Sequence, residues 1–197
     1  MKIAFAIFDG MTTLDFIGIF EPLTRLRSMG FTPDLSWDIC GRTESVTDAS
    51  GFSYHPDAVN TSLGTYDGVI IPGGMATREL SHDESFIAWI ATSRASRWIA
   101  TVCTGSLLIG AAGFLKDRNA TTHPGAIDLL KDYAKNVLPD RIVDTGSIIT
   151  AGGVASSIDL GLYLCERMAG EEARKAIQKQ MDYRCYPPPD ITVKDTE

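Results

Sequence analysis

Apolar positions along the chain follow two rhythms, short continuous runs and helically spaced stripes, and the boundaries between them fall at glycine, proline and polar clusters. Lys2 to Phe8 is a short apolar run closed by Asp9-Gly10 and predicts a first strand. Phe16, Ile19, Phe20, Leu23 and Leu26 then recur at helical spacing, with an end near Gly30. Pro22 interrupts the stripe, so either the helix begins near Pro22 as its first turn or it is kinked there. Leu35 to Cys40 predicts a second strand. Arg42 to Ser62 is polar and turn-rich, has the character of surface, and offers Val46, Phe52 and Tyr54 as short hairpin strands.

Tyr66 to Pro72 reads as a buried strand met at once by Gly73-Gly74. Asp83 to Ala91 predicts a helix with Phe86, Ile87, Trp89 and Ile90 inward. Trp98 to Val102 is another buried strand, and beyond Cys103-Thr104-Gly105-Ser106 a helical pattern starts with Leu107, Leu108, Ala111 and Ala112. Ala120 to Pro124 is extended, because the residue before a proline is pushed out of the α region. Gly125 to Ala134 predicts a helix, and Ser147 to Ala151 a last β segment that ends in Gly152-Gly153. Val154 to Ala169 is the longest predicted helix, apolar on most sides, with Cys165 in the core. Glu171 to Met181 is a shorter amphipathic one. The tail 182–197 carries Pro187-Pro188-Pro189, which excludes a helix and leaves it draped over a surface.

Strands alternating with helices imply an α/β fold with a doubly wound, mostly parallel sheet flanked by helices, built as a single domain over 1–197. The 197 residues suffice for one well-buried domain, and 44% hydrophobic with 22% charged residues is ordinary for a globular protein. A net charge of -7 argues against nucleic acid or an anionic membrane as partner, since both need a basic face. No apolar run approaches the roughly 20 residues that span a bilayer, and the first apolar stretch is too short for a secretory signal, so a cytoplasmic address is expected. The four cysteines, Cys40, Cys103, Cys165 and Cys185, form no Cys-x-x-Cys pair. Neither a zinc site nor a redox dithiol is suggested, and four free thiols are expected.

Cys103 is the cysteine at a strand-to-helix corner. Such a corner can hold a nucleophile at the sheet edge, with the N–H of the next residue free for an oxyanion. The positive end of the following helix is expected to favour the thiolate. The same residue is compatible with a buried structural cysteine. Asp15 lies just past the first strand, either as a helix N-cap or as a group at the same sheet edge. Gly73-Gly74 provides either backbone N–H groups for an anion or a tight turn, and both can hold together. His123 reads as a satisfied core or loop histidine or as a pocket wall, and His55 as a solvated loop residue. In doubly wound sheets ligands sit beyond the C-terminal strand ends. Asp15, Gly73-Gly74, Cys103-Thr104 and Gly152-Gly153 all follow strands, and their convergence favours a catalytic Cys103.

The motifs Leu14-Asp15-Phe16-x-Gly18, Asp67-Gly68-x-x-x-Pro72-Gly73-Gly74, Val102-Cys103-Thr104-Gly105-Ser106, Ala120-Thr121-Thr122-His123 and Ala151-Gly152-Gly153-x-x-x-x-Ile158-Asp159 resemble, in this order, the ThiJ/PfpI superfamily. The resemblance is greatest to its isocyanide hydratase-like branch, which is related to the ligand-binding half of some AraC-type regulators. The flavodoxin-like fold of class I glutamine amidotransferases is implied. One feature departs from the hydratase-like branch itself: Gly18 is followed by Ile19 where its members usually carry proline, here displaced to Pro22. Three more set the chain apart from other branches. Thr104 stands where the peptidase-like branch has histidine. No His-x-Glu pair of the amidotransferase kind follows His123, and Asp15 stands where glyoxalase-like members generally have glutamate.

The resemblance implies a cysteine-dependent hydro-lyase that acts on a small molecule, without metal or cofactor, as a homodimer with its site near the interface. Cys103, Asp15 and Thr104 are the expected catalytic residues, and Gly73, Gly74, His123 and Gly153 the expected oxyanion or substrate contacts. Backbone N–H groups of Gly74 and Thr104 would serve the oxyanion. Two other readings stay open: a ligand- or redox-sensing protein whose Cys103 oxidises, and another cysteine-dependent small-molecule enzyme such as a glyoxalase or a biosynthetic enzyme.

Overall fold

The computed structural model describes residues 1–187 and, as backbone alone, a strand at Ile191–Val193. In chain order the elements are β1 (Lys2–Ala6), α1 (Thr13–Ser28), β2 (Ser36–Gly41), a hairpin of β3 (Val46–Thr47) and β4 (Ser53–Tyr54), β5 (Ala58–Val59), β6 (Gly68–Ile71), α2 (Thr77–Leu80) and α3 (Glu84–Ala91). There follow β7 (Trp98–Val102), α4 (Gly105–Ala111), β8 (Asn119–Ala120), α5 (Ile127–Leu130), β9 (Asn136–Val137), β10 (Ile142–Asp144), β11 (Ile148–Ala151), α6 (Ser156–Ala169), α7 (Glu171–Gln180) and β12 (Ile191–Val193).

Eight strands make one sheet in the order β12-β10-β11-β7-β6-β1-β2-β5, parallel throughout except for the antiparallel pair β10–β11. From β1 the chain winds outward to β2 in one direction and through β6, β7 and β11 in the other. The switch point between β1 and β6 is where such sheets open a crevice for ligands. β11, β7, β6 and β1 are consecutive neighbours, so the loops that leave their C-terminal ends lie side by side. The interior strands are apolar without alternation: all four residues of β6 and of β11 are buried, as both-face burial requires. Phe5 of β1 stacks edge-on against Phe16 of α1 at 5.6 Å, which docks that helix on the sheet.

Pro22 neither starts α1 nor stops it, since the helix begins at Thr13 and continues to Ser28. Packing with α6 explains the proline: a Cβ at Gly161 would lie 2.3 Å from Pro22 Cγ, so the glycine makes room for the ring. α1 is therefore the longest helix at 16 residues, ahead of α6 at 14. The Gly125–Ala134 helix shrinks to a 3-10 turn and the four residues of α5, because Pro124 and two turns break the segment. The strands β5, β9, β10 and β12 were not foreseen from the sequence, and β12 pairs in parallel with β10 inside the proline-rich tail. Pro188, Pro189 and the residues 190 and 194–197 lie outside the described residues, and so does the draping expected of them. Among the described residues no helix is long and apolar enough to cross a membrane, and all four cysteines are free thiols.

Candidate active site

Cys103 follows β7 with φ +54°, a left-handed conformation that a side chain adopts only where its surroundings enforce it. Its surroundings do so. The Cys103 N–H donates to the carbonyls of Gly152 at 2.8 Å and Ala151 at 3.0 Å, and Thr122 Oγ1 donates to the Cys103 carbonyl at 3.0 Å. The backbone is thus clamped between the ends of β11 and the Thr122 loop, and the thiol is turned away from the strand.

Asp15 comes to the thiol from the first turn of α1. The N-cap position is Thr12, so Asp15 does not cap the helix. It is fully buried, and its Oδ2 accepts the Gly73 N–H at 2.9 Å. Its Oδ1 is buried without a hydrogen-bond partner, although the carboxyl lies within interaction range of the Cys103 thiol. Gly73 is the point of closest approach. A Cβ there would lie 2.5 Å from the Thr104 nitrogen, 2.9 Å from Asp15 Oδ2 and 2.9 Å from Cys103 Cβ. Only a residue without a side chain lets acid, thiol and backbone amide converge.

Burial sets the electrostatics. Desolvation raises the Asp15 carboxyl to about 6, against the lowering effect of the Gly73 N–H and of Cys103. Desolvation also raises Cys103 to about 12, and the neighbouring Asp15 charge adds to the rise. The thiolate expected from the helix end is therefore not the resting form: loss of water and a nearby carboxylate outweigh the short α4. The resting pair near neutral pH is a thiol facing a carboxylate, with one proton between them to be moved.

Thr104 and Gly74 bond reciprocally. The Thr104 hydroxyl donates to the Gly74 carbonyl at 2.9 Å and accepts the Gly74 N–H at 3.0 Å. In this structure the Gly74 amide proton is held by the Thr104 hydroxyl and the Gly73 amide proton by Asp15. The Thr104 N–H remains, directed at the Cys103 sulfur. His123 sits at the edge of the same region. Its Nδ1 accepts the Gly125 N–H at 3.0 Å, and a Cβ at Gly153 would lie 2.9 Å from its Cδ2. His123 and Gly153 pack on each other, and neither is among the residues that meet at Gly73.

One supporting group escaped sequence reading. Asp48, 6% exposed in the hairpin, accepts the N–H groups of Ser50 and Phe52 at 2.8 Å each and the hydroxyl of Thr13. It ties the hairpin to α1 two residues before Asp15. The stretch Arg42 to Ser62 read only as turn-rich surface with a short hairpin, and the distant partner Thr13 carried no signal. Among the described residues no group of three or more His, Cys, Asp or Glu side chains is placed to hold a metal ion.

A model of the DJ-1/PfpI family matches residues 1–167. The isonitrile hydratase of Pseudomonas putida is 31% identical over 100% of this chain and 84% of its own length. A THiJ/PfpI family protein from Pseudomonas syringae superposes with a TM-score of 0.81 at 28% identity, covering 95% of this chain and 76% of that one. The HTH-type transcriptional regulator GbdR of Pseudomonas aeruginosa is 25% identical over 92% of this chain, which spans half of the regulator's length.

Proposed function

The chain belongs to the DJ-1/PfpI family, and from that premise we propose that it adds water to an isocyanide to give an N-substituted formamide. The observation that carries the reading is the buried Asp15 carboxyl facing the Cys103 thiol at Gly73, with one oxygen held and the other free. The similarity to an isonitrile hydratase over the whole chain supports the choice of substrate.

The terminal carbon of an isocyanide accepts a soft nucleophile and a proton on the same atom. Asp15 takes the Cys103 proton as the sulfur bonds to that carbon, and the resulting acid returns the proton to the carbon, which gives a thioimidate. Asp15, again a carboxylate, then takes a proton from water as its oxygen adds to the carbon. Asp15 passes that proton to nitrogen, and as the carbon–sulfur bond breaks it carries the remaining hydroxyl proton of the adduct to the departing sulfur, so the formamide leaves with Cys103 restored as thiol. A carboxyl near 6 is suited to both directions of this transfer. Thr104 contributes its N–H at the sulfur, and its hydroxyl holds the Gly74 loop in place. His123 and Gly153 form part of the wall. The homodimer and cytoplasmic location implied by the resemblance belong to the same proposal, and light scattering tests the first.

Incubation with an alkyl isocyanide, with formamide followed by mass spectrometry, tests the reading. Turnover that disappears in Cys103→Ala and Asp15→Asn is the expected result. Absence of formamide from the folded wild-type protein, with ready oxidation of Cys103 to sulfinate, overturns it in favour of a sensor.

A further inference from the structure

β1 and β2 are neighbouring parallel strands, and the residues that leave their C-terminal ends enclose a cavity of about 100 Å³ that none of the groups meeting at Gly73 lines. Asp9 reaches it from β1 and Arg42 from β2, so two opposite charges stand on one small space. They do not neutralise each other. Among the described residues neither side chain forms an ion pair, and each is anchored elsewhere. Asp9 Oδ1 accepts the Thr47 N–H at 2.7 Å, and Arg42 Nη1 donates to the Ser85 hydroxyl at 3.1 Å. Arg42 Nε is buried with no hydrogen-bond partner, an uncommon state for a polar group in a folded chain. Asp83, which accepts the Ser85 hydroxyl at 2.8 Å, takes the N–H groups of Ser85 and Phe86 on the same oxygen and is thus engaged as the cap of α3. Most of the remaining wall is apolar, with Phe8, Val46, Leu80 and Phe86, and the two phenylalanine rings meet edge-on at 5.7 Å.

Two charges held apart over an apolar wall select their occupant. A lone anion would meet Arg42 but lie against Asp9, and a lone cation would meet Asp9 but lie against Arg42. An apolar molecule would strip water from both charges and offer neither a partner. A zwitterion answers both at once, each end through a charge-assisted hydrogen bond. Size narrows the class further: a water molecule occupies about 30 Å³ of liquid, so the space matches about three of them and leaves little beyond the two charged groups. We propose that this cavity binds a small α-amino acid, of the size of glycine or alanine, with its carboxylate on Arg42, its ammonium on Asp9 and its α-carbon against Phe8 and Phe86.

The site shares no residue with the proposed hydration. Its occupancy is read without turnover, so the two proposals fail separately.

The test is a saturation-transfer NMR titration of the full wild-type chain at pH 7 with L-alanine, and separately with sodium propionate and with ethylamine, which lack the ammonium and the carboxylate in turn. Saturable binding of alanine is expected, weakened at least tenfold by Arg42→Met and by Asp9→Asn, with both single-charge analogues at least tenfold weaker than alanine. Thermal melts verify that the variants fold, and one folded variant suffices for the comparison. No saturable binding of alanine, or a loss smaller than tenfold in a folded variant, overturns the site. Propionate or ethylamine bound as tightly as alanine overturns the zwitterion as its ligand.

Discussion

Asp15 Oδ2 accepts the Gly73 N–H at 2.9 Å across 58 residues of sequence, and this single bond joins the first turn of α1 to the loop that leaves β6. It holds one carboxylate oxygen and leaves the other without a partner in the buried corner that also contains Cys103. A carboxylate buried to this depth costs stability, and the raised value near 6 measures that cost in protons.

The first prediction concerns pH. The folded state of Asp15 binds its proton up to about 6, whereas the unfolded chain releases it near 3.8. Between these values the folded state holds more protons, so the contribution of Asp15 is most favourable below about 3.8 and is lost as pH rises through 6. A shift of about two units corresponds to about 3 kcal/mol. Asp15→Asn should retain the bond from Gly73, remove this pH-dependent loss and lower formamide production by about 10²-fold or more. Urea denaturation from pH 4 to 8, with turnover measured in parallel, tests both halves. A variant that keeps the wild-type pH slope assigns the cost to another group.

A second prediction follows from the thiol. Cys103 is held near 12 by burial and by the Asp15 charge, so alkylation by iodoacetamide at pH 8 should be slow for a cysteine beside a site. Removal of that charge in Asp15→Asn should speed alkylation while it abolishes turnover. The two rates move in opposite directions only if Asp15 both suppresses the thiolate and moves its proton during catalysis. Peptide mapping of modified Cys103 against Cys185, the exposed thiol, provides the internal control.

The general plan of this corner was legible in the chain because local signals carried it. Apolar runs that stop at Asp9-Gly10, Gly73-Gly74, Cys103 and Gly152-Gly153 mark strand ends by composition alone, and a parallel sheet brings such ends to one edge. What the chain could not disclose are facts of neighbourhood. The order β11-β7-β6-β1 decides which ends touch, and no residue pattern records it. Pro22 obscured α1 because its compensation is a missing side chain on α6. The strand β10 has only three residues, Ile142-Val143-Asp144, too few to establish a rhythm. The Cys103 titration was misjudged from the helix end, since burial is a property of the assembled fold.

Thr104 provides a third prediction. Its hydroxyl satisfies both the N–H and the carbonyl of Gly74, where a Cβ would lie 2.5 Å from the Gly10 carbonyl. Thr104→Val retains the shape and strands the Gly74 N–H, at about 1–3 kcal/mol for one unpaired buried polar group, whereas the Gly74 carbonyl still accepts the Thr77 hydroxyl at 2.8 Å. Thr104→Ser retains the bonds and should remain within about 1 kcal/mol of the parent. Urea midpoints of the two variants separate a hydrogen-bonding role from simple packing.

The last prediction is steric. A methyl group at Gly73 would stand 2.5 Å from the Thr104 nitrogen and 2.9 Å from both Asp15 Oδ2 and Cys103 Cβ, and two of those three neighbours are backbone or Cβ atoms that cannot swing aside. Gly73→Ala must therefore move the loop, stretch the bond to Asp15 and separate the acid from the thiol. Overpacking of this kind costs about 1–3 kcal/mol. The loss of turnover should exceed what that destabilisation explains, because a displacement near 1 Å at reacting groups lowers rates by about 10²-fold. The decisive comparison is turnover at a temperature where the variant is fully folded by circular dichroism. Near-normal activity there would mean that the convergence at Gly73 is a packing feature with no part in the chemistry.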